Sequence, residues 1–174
     1  MEKSQKFKLK EFAHNTIAAE MGIEELKDWK FEEPEFNEKR GVFVTLEIEG
    51  SLRGCIGNIE PVYPLWEAVK RNAHEAAFGD PRFPRLDAEE FEMIDIEISI
   101  LTVPELSTVD GIRPGTDGVV IQQGPYKATY LPQVWEDILN KEEFLSSLCM
   151  KAGLDSDAWK DEETEVFTYQ VEKF

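Results

Sequence analysis

Two runs of alternating apolar residues constrain this chain more than any other feature. Val42, Val44, Leu46 and Ile48 are interleaved with Phe43, Thr45, Glu47 and Glu49, and Ile94, Ile96, Ile98 and Ile100 with Asp95, Glu97 and Ser99. A period of two sends successive side chains to opposite faces, so each run predicts a strand with one buried face. Helical stripes accompany them. Leu9, Phe12, Ala13 and Ile17 mark a helix over 4–21 closed by Gly22, and Leu65, Val69, Ala73 and Ala76 mark another, opened by Pro64 and ended by Gly79. Gly50-Ser51 turns the first run into a second strand over 52–59, whereas residues 30–38 read as loop. Pro81 and Pro84 force 80–85 into a constrained loop, and Asp87 with Glu90 has the form of a helix-capping pair.

Further on, 102–118 is loop-rich and 119–131 reads as a hairpin. Pro132 opens a helix carrying Val134, Trp135, Ile138 and Leu139. Another helix, over 142–152, buries Phe144, Leu145, Leu148 and Cys149, and Phe167, Tyr169 and Val171 alternate in a last strand. Helices interspersed with antiparallel hairpins, without a βαβ rhythm, define an α+β fold, and 174 residues suit one domain.

Charge narrows the function. The net of −17 excludes a protein that coats nucleic acid or an anionic membrane, because both demand a positive field. That charge is uneven: 37–85 holds 7 basic and 7 acidic residues, while 86–174 holds 6 and 20. Five of six arginines, Arg40, Arg53, Arg71, Arg82 and Arg85, fall in the neutral stretch, where they suit a small anionic ligand or pair with Glu47, Glu49, Glu60 and Asp80. No stretch reaches the roughly 20 apolar residues of a membrane span, no signal peptide is legible, and two cysteines build no disulfide framework, so a cytoplasmic protein is expected. Two distant histidines and the lack of metal-, phosphate- and dinucleotide-binding motifs predict no metal site and no cofactor.

The chemistry concentrates in Leu52-Arg-Gly-Cys-Ile-Gly57. Strict alternation would send Leu52 and Ile56 one way and Arg53 and Cys55 the other, placing a guanidinium beside a thiol, an arrangement that favours thiolate chemistry. Gly54 and Gly57 would leave backbone N–H groups open to an anion or oxyanion. The competing interpretation makes Cys55 a small buried residue and pairs Arg53 with Glu47 or Glu49. Cys149, in an apolar stripe, reads as core. His74 is the nearest candidate base but lies opposite the buried stripe of its helix. Asp80, Arg82 and Phe83 are either a self-satisfied turn or a charged rim beside the Arg53 strand.

These residues resemble a known family. LRGCIG at 52–57 is similar to the signature hexapeptide of the AMMECR-type domain family, called protein A of the AmmeMemoRadiSam system in prokaryotes. The likeness extends through Arg40-Gly-Val-Phe-Val-Thr45, Ala77-Phe-Gly-Asp-Pro-Arg-Phe-Pro84, Ile96-Glu-Ile-Ser-Ile100, Asp117-Gly118, Leu131-Pro-Gln-Val-Trp135, Glu143-Phe-Leu145 and Lys151-Ala-Gly153, over about 40–171. The resemblance implies antiparallel sheets flanked by helices, a larger and a smaller lobe, and the hexapeptide near the groove between them. It also implies association with a radical SAM protein and a Memo-like protein. Two functions stay open. One is an enzyme modifying a small molecule or peptide, with Cys55 as nucleophile or redox thiol, Arg53 as anion clamp, and Gly54, Gly57, Asp80, Arg82 and Phe83 lining the site. The other is a non-catalytic adaptor presenting substrate to those partners. Nucleic-acid binding stands third.

Overall fold

The computed structural model describes all 174 residues. In chain order the elements are α1 (Lys3–Glu20), α2 (Pro34–Asn37), β1 (Gly41–Ile48), β2 (Ser51–Asn58), α3 (Leu65–Phe78), α4 (Ala88–Phe91), β3 (Ile94–Leu101), β4 (Glu105–Ser107), β5 (Gly118–Gln123), β6 (Tyr126–Tyr130), α5 (Lys141–Ala152), β7 (Glu165–Tyr169) and β8 (Val171–Lys173). Two antiparallel four-stranded sheets and five helices confirm the α+β class, and no helix is long and apolar enough to cross a membrane. The chain divides into two compact units, Met1–Leu101 with Glu172–Phe174, and Thr102–Val171.

In the first unit the strands run in the order β2-β1-β3-β8. The two alternating runs are neighbours, β1 and β3, paired antiparallel with Val44 opposite Ile98 and Leu46 opposite Ile96. Cross-strand partners share a face, so Val42, Val44, Leu46, Ile96, Ile98 and Ile100 form one apolar surface that packs with the stripes of α1 and α3. Each such side chain contributes about 1.5–3 kcal/mol on burial. Glu49 and Gly50, both at positive φ (52° and 75°), form the two-residue hairpin turn, one position earlier than the sequence suggested. Residues 30–38 are not all loop: Pro34 starts the single turn α2, which buries Phe36 completely. Asn15, buried on α1, accepts hydrogen bonds from Lys27 N–H and Trp29 Nε1 and fastens segment 25–29 to that helix.

The second unit has the strand order β4-β7-β5-β6, with α5 supplying Phe144, Leu145, Leu148 and Cys149 to its core as its stripe predicts. Gly153, at φ 83°, closes α5 in the left-handed region that favours glycine. Three expectations are corrected. The loop after residue 102 contains a short edge strand, β4. Pro132 opens only a 3₁₀ turn, Pro132–Glu136, so Trp135 is buried face-to-face on Phe144 at 3.6 Å while Leu139 is 82% exposed. The last strand is two: β7 stays in this sheet, and after Gln170 the chain enters β8, the edge of the first.

Candidate functional site

A bulge decides where the signature points. Ile48 pairs with Ser51 and Glu47 with Leu52, but Leu46 pairs with Gly54, so Arg53 is an extra residue without a partner on β1. Strict alternation therefore fails. An unbroken register would set Cys55 opposite Val44, on the core face; the bulge moves it opposite Thr45, on the other face, and puts Gly54 on the core side. There α3 approaches so closely that a methyl at Gly54 would overlap the Ala76 carbonyl oxygen. Gly57 serves a similar purpose, since the Phe43 ring occupies the space of a side chain. Both glycines answer to packing first. Leu52, opposite Glu47, shares the Cys55 face and is exposed.

Arg53 pairs with neither Glu47 nor Glu49. Its side chain, 8% exposed, forms a two-pronged pair with Glu90, Nε to Oε1 and Nη2 to Oε2 at 2.7 Å each, and Nη2 also donates to the Pro84 carbonyl at 2.9 Å. Glu90 first of all keeps the guanidinium pKa raised, and Arg53 in turn holds the Glu90 carboxyl below its ordinary value. Arg53 Nη1 is buried without a hydrogen-bond partner. Glu90 also accepts from Asp87 N–H, completing the capping box of α4 that the sequence announced.

Asp80 and Arg82 fasten the preceding loop to the free edge of β2. Asp80, buried, accepts from Cys55 N–H at 2.9 Å, from Arg82 N–H at 3.1 Å, and from Arg82 Nε and Nη2 at 2.9 and 2.6 Å. These donors, the Arg82 guanidinium foremost, hold its carboxyl far below the usual carboxylate range against the opposing effect of burial. Arg82 Nη2 donates in turn to the Cys55 carbonyl at 3.1 Å. Phe83 lies between both guanidinium groups, its ring centre 5.7 Å from Arg53 Cζ and 5.5 Å from Arg82 Cζ. The arginine beside Cys55 is thus Arg82 rather than Arg53, and its raised pKa, owed first to Asp80, also reflects the Cys55 side chain.

Within this frame Cys55 is half-buried, and its Sγ accepts a hydrogen bond from Thr45 Oγ1 at 3.3 Å. Alternating ladder geometry aims the N–H and C=O of both Cys55 and Gly57 at the free edge of β2; those of Cys55 are taken by Asp80 and Arg82. His74 is occupied elsewhere, with Nδ1 3.1 Å from Glu75 and Nε2 3.7 Å from Glu20. Cys149 is fully buried, and burial pushes its thiol pKa up. Of the six arginines, Arg40, Arg53, Arg71, Arg82 and Arg113 are ion-paired, and Arg85 stacks on Phe78. Thr45, Glu90 and the Pro84 carbonyl were missed from the sequence; only Glu90 carried a signal there, as a capping residue.

Known proteins share this arrangement of sequence and fold. A protein of Methanothermobacter thermautotrophicus is 46% identical over 151 residues, covering 80% of this chain and 77% of that protein. Protein NEQ441 of Nanoarchaeum equitans is 42% identical, with 79% and 82% covered. The crystal structure of the uncharacterized protein PH0010 from Pyrococcus horikoshii superposes with a TM-score of 0.80 at 39% identity, covering 97% of this chain and 89% of that one. The sequence pattern of the AMMECR1 family matches residues 10–174, and the chain belongs to that family.

Proposed function

We propose that the chain is an enzyme that modifies a small molecule or peptide through the Cys55 thiol, working with a radical SAM protein and a Memo-like protein. One observation carries this reading. The bulge turns Cys55 out of the core, and the polar groups around it hold its backbone still while the half-buried side chain meets one hydroxyl, Thr45, and one guanidinium, Arg82. A fixed nucleophile with a guanidinium at hand meets the positional demand of thiol chemistry. Arg82 takes the anion-facing role first given to Arg53, whose guanidinium serves as a strut. The test is alkylation of the folded protein with iodoacetamide and with anionic iodoacetate. Cys55 reacts faster than free cysteine at pH 7, and Arg82→Ala lowers the iodoacetate-to-iodoacetamide rate ratio. A rate no greater than that of free cysteine sinks the reading.

A second reading, a non-catalytic adaptor, draws on the same strut. Arg53, Asp80 and Glu90 are spent on shaping a surface, as an adaptor requires. Co-purification with the two partners, retained by Cys55→Ser, supports the adaptor; its failure counts against it.

A further inference from the structure

A groove of about 720 Å³ runs between α1 and α3 on the first unit, and Cys55 is not among its lining residues. Its size falls within the roughly 300–1,000 Å³ of small-molecule sites. The walls are fixed. Trp66 stacks on Phe31 with ring centres 5.9 Å apart and planes 9° from parallel, and Leu26 lies on the segment that Asn15 fastens to α1. Along α3, Trp66, Lys70 and His74 follow one another at four-residue intervals and so share a face.

The charges of the groove do not cancel. Glu67 is neutralised by Arg71 at 2.9 Å. Lys70 is half-buried and belongs to no ion pair. At the other end His74 stands between two carboxylates, Glu75 at 3.1 Å from Nδ1 and Glu20 at 3.7 Å from Nε2. Two carboxylates face one imidazole, so this end of the groove keeps a net negative charge whichever protonation state the ring adopts. An unpaired cation, Lys70, and a net negative cluster around His74, four residues further along α3, therefore line one groove beside an indole wall. Lys70 and His74, four apart on α3, are about 5–6 Å from Cβ to Cβ, so the two ends of the groove are on the scale of an ammonium and a carboxylate on one carbon with a charged hydrogen bond of about 2.7–2.9 Å at each end. A simple amine would leave Lys70 without a partner, and a simple acid would leave the negative cluster so. We propose that this groove binds a free α-amino acid with a large apolar side chain: its carboxylate on Lys70, its ammonium at the Glu20–His74–Glu75 end, and its side chain against Trp66 and Leu26. The site is independent of the thiol chemistry proposed for Cys55.

The experiment is calorimetric titration of the full chain with L-phenylalanine and L-leucine, with phenethylamine and 3-phenylpropionate as probes lacking one charge each. At least one amino acid binds with a millimolar or lower Kd, and both single-charge probes bind at least tenfold more weakly. Lys70→Met weakens the amino acid at least tenfold without changing phenethylamine, and Glu20→Gln weakens both. Circular dichroism establishes that each variant is folded. Cys55→Ser binds as the wild type does, so failure of the thiol reading and failure of this one are distinguishable. No heat from either amino acid at millimolar concentration, equal binding of a single-charge probe, or an unaffected Lys70→Met overturns the proposal.

Discussion

Replacing Glu90 with Gln tests the strut beneath the signature. Gln keeps the volume and one acceptor oxygen, so the capping of α4 survives, but it removes the counter-charge of a guanidinium that is 8% exposed and already has Nη1 without a partner. Removing one member of a fully buried pair costs about 3–5 kcal/mol. Glu90 is 27% exposed, and solvent screening reduces that to about 2–3 kcal/mol. For a chain of this size each kcal/mol lowers Tm by about 2–4 °C, so a fall of about 5–10 °C is expected. Urea unfolding followed by circular dichroism measures the free energy, and a thermal scan the shift. The sign of the pH dependence follows from Arg53 holding the native Glu90 carboxyl below its ordinary 4.5. The pair's contribution is complete above that value and declines as pH falls below it, so wild type and variant converge in acid. Arg53→Met added to Glu90→Gln recovers most of the loss, because the charge left unpaired goes with it. A loss below about 0.5 kcal/mol at pH 7, as for an exposed pair, or a difference unchanged at acid pH, refutes the reasoning.

Gly54→Ala forces a methyl onto the Ala76 carbonyl, where backbone rather than a flexible side chain must yield, and costs about 3 kcal/mol in urea unfolding. Thiol counting on the native protein registers one fast group, Cys55. Cys149 reacts only at the rate of unfolding, so mass spectrometry finds Cys55 labelled first. Burial pushes the Tyr169 phenol up to about 12, so an ultraviolet titration of the native protein shows a phenol ionising near 12 that Tyr169→Phe removes. Because the unfolded phenol titrates near 10, Tyr169 contributes stability that is complete below pH 10 and is lost as pH rises towards 12; Tyr169→Phe flattens that part of the stability curve.

The fold was legible wherever a repeating period met a continuous core. The β1 and β3 alternations, the α5 stripe and the Asp87–Glu90 cap depend on neighbours within a few positions, and all reappear. Leu139 and the last strand were misread because their environments are set by distant partners: Trp135 turns onto Phe144, and β8 leaves for another sheet. At the candidate site the residue types were readable and their pairing was not. A hairpin counted from the Glu49-Gly50 turn without a bulge faces Cys55 into the core and makes it an inert small residue. One extra residue at Arg53 reverses that, and no local signal distinguishes Arg53 as a bulge from Arg53 as a neighbour of the thiol. Its long-range partners decide. Glu90, 37 positions away, and the Pro84 carbonyl, 31 away, draw the guanidinium out along the strand edge, and with it gone Arg82 is the cation beside the thiol. The same contacts show what became of that neutral, arginine-rich segment: four of its five arginines, Arg40, Arg53, Arg71 and Arg82, are each held by a carboxylate, and they frame the half-buried Cys55 rather than standing free as a row of cations.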